Sequence, residues 1–108
     1  MDIPEKYIQN YTISLLNGHG WFVWRNNSGT ATATDKNGKK RQWKAGIKGS
    51  GDIIGVTPSG QFVTIECKRA GKKPTIFQEA FMDDVSRRGG LATVIDSIEA
   101  ADALVKLF

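Results

Sequence analysis

The chain contains one cysteine and one histidine, and each scarcity excludes a class of chemistry. With Cys67 alone, no internal disulfide can form. With only His19 beside it, no set of soft ligands can hold a structural zinc. Any metal bound here has to be held mainly by oxygen. No apolar run approaches the ~20 residues needed to cross a bilayer. The opening MDIPEKYIQN lacks the basic, apolar, small-residue order of a signal peptide. The expectation is a cytoplasmic, intracellular protein with no membrane partner.

What remains is ordinary globular composition, with 40% hydrophobic and 24% charged residues in 108. That length suits one domain spanning 1–108 with a single core, folding alone or as a small oligomer. Lysine and arginine outnumber aspartate and glutamate by 15 to 11, a formal charge of +4. The resulting pI near 9.4 is compatible with a polyanionic partner without establishing one.

Periodicity gives the order α-β-β-β-α-β-α. Ile8, Tyr11, Leu15 and Leu16 recur at helical spacing between Ile3 and Asn17, with Pro4 near the start and Gly18 beyond the end. Gly20 to Arg25 (GWFVWR) reads as a strand, and Asn26 to Gly51 as a long loop or loose hairpin. DIIGV from Asp52 and QFVTIECK from Gln61 flank a Thr-Pro-Ser-Gly turn, so they form an antiparallel hairpin. Thr75 to Arg88 is an amphipathic helix with Phe77, Ala80, Phe81 and Val85 on one stripe, closed by Gly89-Gly90. LATVI, Leu91 to Ile95, is a short buried strand. A last helix from Asp96 to Phe108 opens with Asp96 and Glu99 at capping-box spacing and carries Ile98, Ala101, Val105 and Phe108 on one side.

Alternation along the second hairpin strand puts Phe62, Thr64, Glu66 and Lys68 on one face and Cys67 on the other. Pairing across the turn brings Asp52 to the same end of the sheet as Glu66 and Lys68. Carboxylates so placed repel unless a cation lies between them, and hard oxygen ligands suit Mg²⁺ or Mn²⁺. Such an ion lowers the pKa of a bound water and holds a phosphate oxygen, while Lys68 positions the attacking water or offsets developing charge. The competing reading makes Asp52 a strand start after Gly-Ser-Gly and Glu66 with Lys68 a solvated pair. The charged pair inside an otherwise apolar strand favours the site.

The segment GSGDIIGVTPSGQFVTIECKR, with Gln78 in the next helix and Gly89-Gly90 after it, resembles the virus-type replication-repair nuclease (VRR-NUC) branch of the PD-(D/E)XK superfamily. The similarity extends more loosely to PEKYIQN in the first helix. It implies an α/β restriction-endonuclease-like fold, a mixed central sheet flanked by helices, and a Mg²⁺- or Mn²⁺-dependent endodeoxyribonuclease leaving a 5′ phosphate. Asp52 and Glu66 would ligate the metal with the backbone carbonyl of Cys67, Lys68 would be the catalytic lysine, and Gln78 would orient water or phosphate. Glu5 would be the acidic residue that reaches the metal through water. Gly51 stands where the superfamily's name has proline. Stand-alone relatives of this size resemble Holliday-junction resolvases, which act as homodimers on four-way junctions, and a phage or prophage origin goes with that resemblance.

Simpler roles stand beside several of these. Asp2 and Glu5 have capping-box spacing, so Glu5 can serve a backbone amide instead. Gln78 can be a solvent-facing helix residue, Cys67 a buried apolar side chain, and His19 a surface residue. Lys36, Lys39, Lys40, Arg41, Lys44 and Lys48 form a run without an acid, suited to a phosphate backbone, and Trp43 among them either stacks on a base or joins the core. Arg69, Lys72 and Lys73 extend a second basic group from Lys68. Contacts of this kind read DNA shape rather than a base code. A flap-, nick- or duplex-directed nuclease and a basic DNA-binding module without catalysis are the rival functions. The GWFVWR strand and Phe108 can lie in a dimer interface or in the core.

Overall fold

The computed structural model describes residues 3–26 and 29–108, with the side chains of 29–32 and 42–45 outside the description. Helix α1 (Glu5–Gly18) leads to β1 (Phe22–Arg25), then β2 (Gly29–Thr34), β3 (Lys40–Ala45), β4 (Ile53–Val56) and β5 (Phe62–Cys67). Helix α2 (Ile76–Arg87), β6 (Leu91–Ile95) and α3 (Ile98–Lys106) complete the chain. Without β2 and β3 the order is the predicted α-β-β-β-α-β-α. A mixed sheet in the order β1-β4-β5-β6 lies at the centre, flanked by helices.

β1, β4 and β5 pair antiparallel, while β6 joins β5 parallel after the α2 crossover. The β4–β5 turn follows from its sequence: Gly60 adopts φ +86° and its N–H donates to Thr57 O at 2.9 Å. Registers and alternation sort the sheet into two faces. Val23, Ile53, Val63, Ile65, Cys67 and Ile95 face α1 and α3, where Ile8, Leu16, Ala101 and Leu104 complete the buried core. Phe22, Trp24, Ile54, Val56, Phe62, Thr64 and Glu66 lie on the other face, which α2 covers only over β5 and β6.

Within the stretch where the sequence left loop and loose hairpin open, β2 and β3 form a defined hairpin. β2 and β3 pair from Gly29↔Ala45 to Thr34↔Lys40 as a sheet of their own. Asp35 closes its tip: Oδ1 accepts from Asn37 N and Lys39 N, both at 2.9 Å. Principal extents of 52 × 36 × 28 Å and a radius of gyration of 15.3 Å, against about 13 Å for a compact chain of this length, fit a hairpin that projects as an arm.

Helix ends depart from expectation in two places. α3 is capped by Ser97, whose Oγ accepts from Ala100 N at 3.0 Å, rather than by Asp96, because Ser97 has the extended backbone a cap needs. At α1 the N-cap is Pro4 with no side-chain capping bond, and Asp2 lies outside the described residues. α2 has its apolar stripe yet buries no residue fully, since half of the sheet face beside it is uncovered. Trp21 is buried in the core with the Phe108 ring edge-on at 5.0 Å, while Phe108 itself stays exposed.

Candidate functional site

The Ile53↔Ile65 pairing fixes the site, because one residue outward along each strand Asp52 stands level with Glu66. Cys67 N–H donates to Asp52 Oδ2 at 2.8 Å, which turns the Asp52 carboxyl toward the end of β5. The Asp52 and Glu66 carboxyls lie within hydrogen-bonding reach of each other. Lys68 is close enough for its charge to act on Glu66, as is Glu5 from α1.

Glu66 is 1% exposed, a burial that carboxylates tolerate only when paired. Its Oε1 accepts from Gln78 Nε2 at 2.8 Å, while Oε2 is buried with no partner. Asp52, the nearby carboxyl, is another acceptor unless a proton or cation stands between the two. Burial first, then the negative charge of Asp52, pushes the Glu66 carboxyl up to about 8, against the pull of Lys68. The Cys67 thiol faces the apolar core, and burial with the neighbouring carboxylates pushes it up to about 12. It is an inert side chain, as expected, on a strand whose backbone serves the site.

Gln78 is held at both ends of its amide. Its Oε1 accepts from Thr75 N at 2.8 Å and its backbone N–H donates to Thr75 Oγ1 at 3.2 Å, a reciprocal capping box that starts α2. The same side chain therefore caps the helix and reaches Glu66, which excludes the solvent-facing reading.

Several residues that support Asp52 were not legible in the sequence. Gly51 N–H donates to Thr64 Oγ1 at 3.2 Å, and a Cβ on Gly51 would stand 2.3 Å from that hydroxyl and 2.8 Å from Ile65 O. Proline at this position would lose the donor and collide, which explains glycine before Asp52. Asn26 ties the root of the arm to the site: Nδ2 donates to Ser50 Oγ at 2.8 Å and Gly51 O at 2.9 Å, and its N–H donates to Asp52 O at 2.8 Å. Gly49, at φ +84°, lies against α2, where a Cβ would meet Phe77 O at 2.3 Å. Only the polar Thr64 inside an apolar strand hinted at this set.

The basic residues divide by location. Lys48 places Nζ 4.0 Å from the centre of the Phe77 ring, at the start of α2 beside the acidic end of the sheet. Lys36, Lys39, Lys40 and Arg41 are exposed on the arm, and Arg41 pairs with Asp35 at 3.3 Å, so one cation of the run has an acid just outside it. The side chains of Trp43 and Lys44 lie outside the described residues. Arg69, Lys72 and Lys73 are exposed in the connection from β5 to α2. His19 is exposed, with Nδ1 2.9 Å from Leu15 O. Between α1 and α3, a shallow cleft lined by Leu15, His19, Asp102, Val105 and Lys106 lies across the sheet from the acidic group.

Among the described residues no group of three or more His, Cys, Asp and Glu side chains is gathered to hold a metal ion, and no helix is long and apolar enough to cross a membrane. The oxygen donors available are a carboxylate pair rather than a cage. No family model, curated protein or solved structure matches the chain.

Proposed function

We propose that the chain is a structure-selective endodeoxyribonuclease of the VRR-NUC type with a PD-(D/E)XK fold, acting as a homodimer on branched DNA, with the four-way junction as leading substrate. The observation that carries the reading is the Asp52–Glu66 pair, two facing carboxyls with a buried, donorless oxygen at Glu66 Oε2 and a lysine two residues on.

That orphaned oxygen fits a divalent cation, Mg²⁺ or Mn²⁺, which satisfies acceptors where no N–H or O–H arrives. Asp52, Glu66 and the backbone carbonyl of Cys67 would hold it, with the remaining positions left to water. A bound ion there would supply a water of lowered pKa and positive charge beside the scissile phosphate. The protein's own groups do the rest. Lys68 orients the attacking water and offsets charge developing on the phosphate. Gln78 and the Cys67 N–H hold the two carboxyls in place, and Glu5 adds negative charge from α1. Water adds to phosphorus, the 3′ oxygen leaves with a proton, and a 5′ phosphate results. Lysines and arginines on the arm and after β5 bind the backbone on either side, with no base code implied.

A nicking assay on labelled four-way junction, flap and linear duplex with Mg²⁺ or Mn²⁺ tests this. Paired symmetric nicks in the junction, lost in Asp52→Ala and Glu66→Ala, are the expected result. Lys68→Ala should stop cutting while junction binding persists. Cutting confined to flap or duplex would replace the substrate, and binding without nicking under any condition would leave a DNA-binding module.

A further inference from the structure

The site occupies one end of a sheet face whose other end is open. Reading across the registers, Phe22, Val56 and Phe62 stand side by side on three adjacent strands, and Trp24 with Ile54 forms the next row. Phe22 is 68% exposed, Trp24 46% and Phe62 42%. The Phe22 and Trp24 rings touch, with centroids 5.3 Å apart. At the usual area of an aromatic side chain, those three alone leave roughly 300 Å² of apolar surface in water. That already matches the largest patch of an ordinary monomer.

An antiparallel sheet can leave one face to water, but then that face is ordinarily polar, and this one is aromatic. α1 and α3 cover one completely, whereas α2 covers only the β5–β6 half of the other and itself buries no residue fully. Among the described residues, then, no helix covers this apolar half-face over β1 and β4. We infer that this open half-face, built on Phe22, Trp24 and Phe62, is the surface on which a second copy of the chain docks.

Three features favour a second copy over other occupants. The floor of Ile54 and Val56 between aromatic rings is the composition of a core cut in two, as in obligate homodimers. A standard interface takes about 800 Å² from each partner, and the ~300 Å² of aromatic surface would supply its apolar centre. Pairing by the edge of β1 is closed off, because Asn17 accepts from Val23 N–H at 2.9 Å and donates to Val23 O at 3.0 Å. At β1 the exposed apolar surface is therefore the face and not the Val23 edge.

Docking here has a consequence for the proposed site, on whose nuclease reading this last step rests. Phe62 and Glu66 lie on the same face of β5, four residues or about 13 Å apart. A two-fold through the aromatic patch therefore sets two acidic sites at a fixed separation on one composite surface, each away from the aromatic centre. An isologous interface gives both sites the same surroundings, the geometry that paired nicks on two strands require.

Sedimentation velocity on the full chain across a concentration series tests the surface without reference to cutting. Wild type is expected at twice 11.8 kDa. Phe22→Thr/Trp24→Thr, which keeps strand-forming residues at exposed positions, should weaken self-association at least tenfold with an unchanged far-UV circular dichroism spectrum. Tyr7→Ser, at an exposed aromatic on α1, should leave the dimer intact. A wild type that stays monomeric, or a dimer indifferent to the double variant, overturns the inference. A monomer whose affinity for unpaired DNA falls in the double variant would assign the face to nucleobase stacking instead. A dimer that never nicks DNA would sink the nuclease reading and leave the interface standing.

Discussion

Gln78 Nε2 donates to Glu66 Oε1 at 2.8 Å while the other end of the same amide closes the capping box with Thr75. One side chain thus joins the start of α2 to the most buried carboxyl of the sheet. The helix cannot begin elsewhere without releasing Glu66, and Glu66 cannot move without disturbing the cap.

Gln78→Ala removes both bonds and should cost about 1–2 kcal/mol in urea unfolding, the sum of a lost cap and a lost buried hydrogen bond. Gln78→Glu keeps an acceptor for Thr75 N but sets a third carboxylate against the pair. In chelator it should melt below wild type, and Mn²⁺ should raise its melting temperature more than it raises that of wild type.

The metal-free protein should lose stability as pH rises. The Glu66 carboxyl titrates near 4.5 when unfolded and near 8 when folded, so between those values the folded state binds the extra proton. Its contribution is fully present below the unfolded value and is lost as pH passes through the folded one. Urea midpoints measured in chelator on either side of that window should fall with increasing pH, and Glu66→Gln should flatten the dependence. A wild-type midpoint that rises across the same window would mean that Glu66 is folded as the carboxylate.

Gly51→Ala should destabilise by about 1–3 kcal/mol, the range for overpacking a buried position. The added Cβ meets Thr64 Oγ1 and the backbone of β5 together. Thr64→Val should cost less, about 1 kcal/mol, since it removes one hydrogen bond and little volume. Chemical denaturation orders the two.

If the arm follows a phosphate backbone, Lys36→Gln/Lys39→Gln/Lys40→Gln should weaken junction binding for every sequence alike. The slope of log K against log salt should shrink by about 0.9 for each phosphate that the variant no longer neutralises. Nicking at saturating DNA should stay near wild type, because Asp52, Glu66 and Lys68 are untouched. An unchanged salt slope would remove the arm from the interface.

Much of the framework was legible in the residues. Alternation placed Phe62, Thr64, Glu66 and Lys68 on one face, and the Thr-Pro-Ser-Gly turn implied the pairing that sets Asp52 against Glu66, because both signals are local. Other features were not local. The cap of α3 and the arm turned on backbone conformation at Ser97 and on a polar, weakly patterned stretch whose two strands pair with each other. The double duty of Gln78 needed the distance between α2 and β5.

By itself, then, the sequence determined the order of elements, the face of β5 that carries charge and the oxygen-rich character of any metal site, since periodicity, turn chemistry and residue type act over a few positions. Only the tertiary structure decided that Glu66 is buried with one oxygen unpartnered, that Gly51 is demanded by Thr64, and that α2 leaves half a sheet face bare. Burial and close approach arise from segments far apart in the chain, and no window of neighbouring residues contains them.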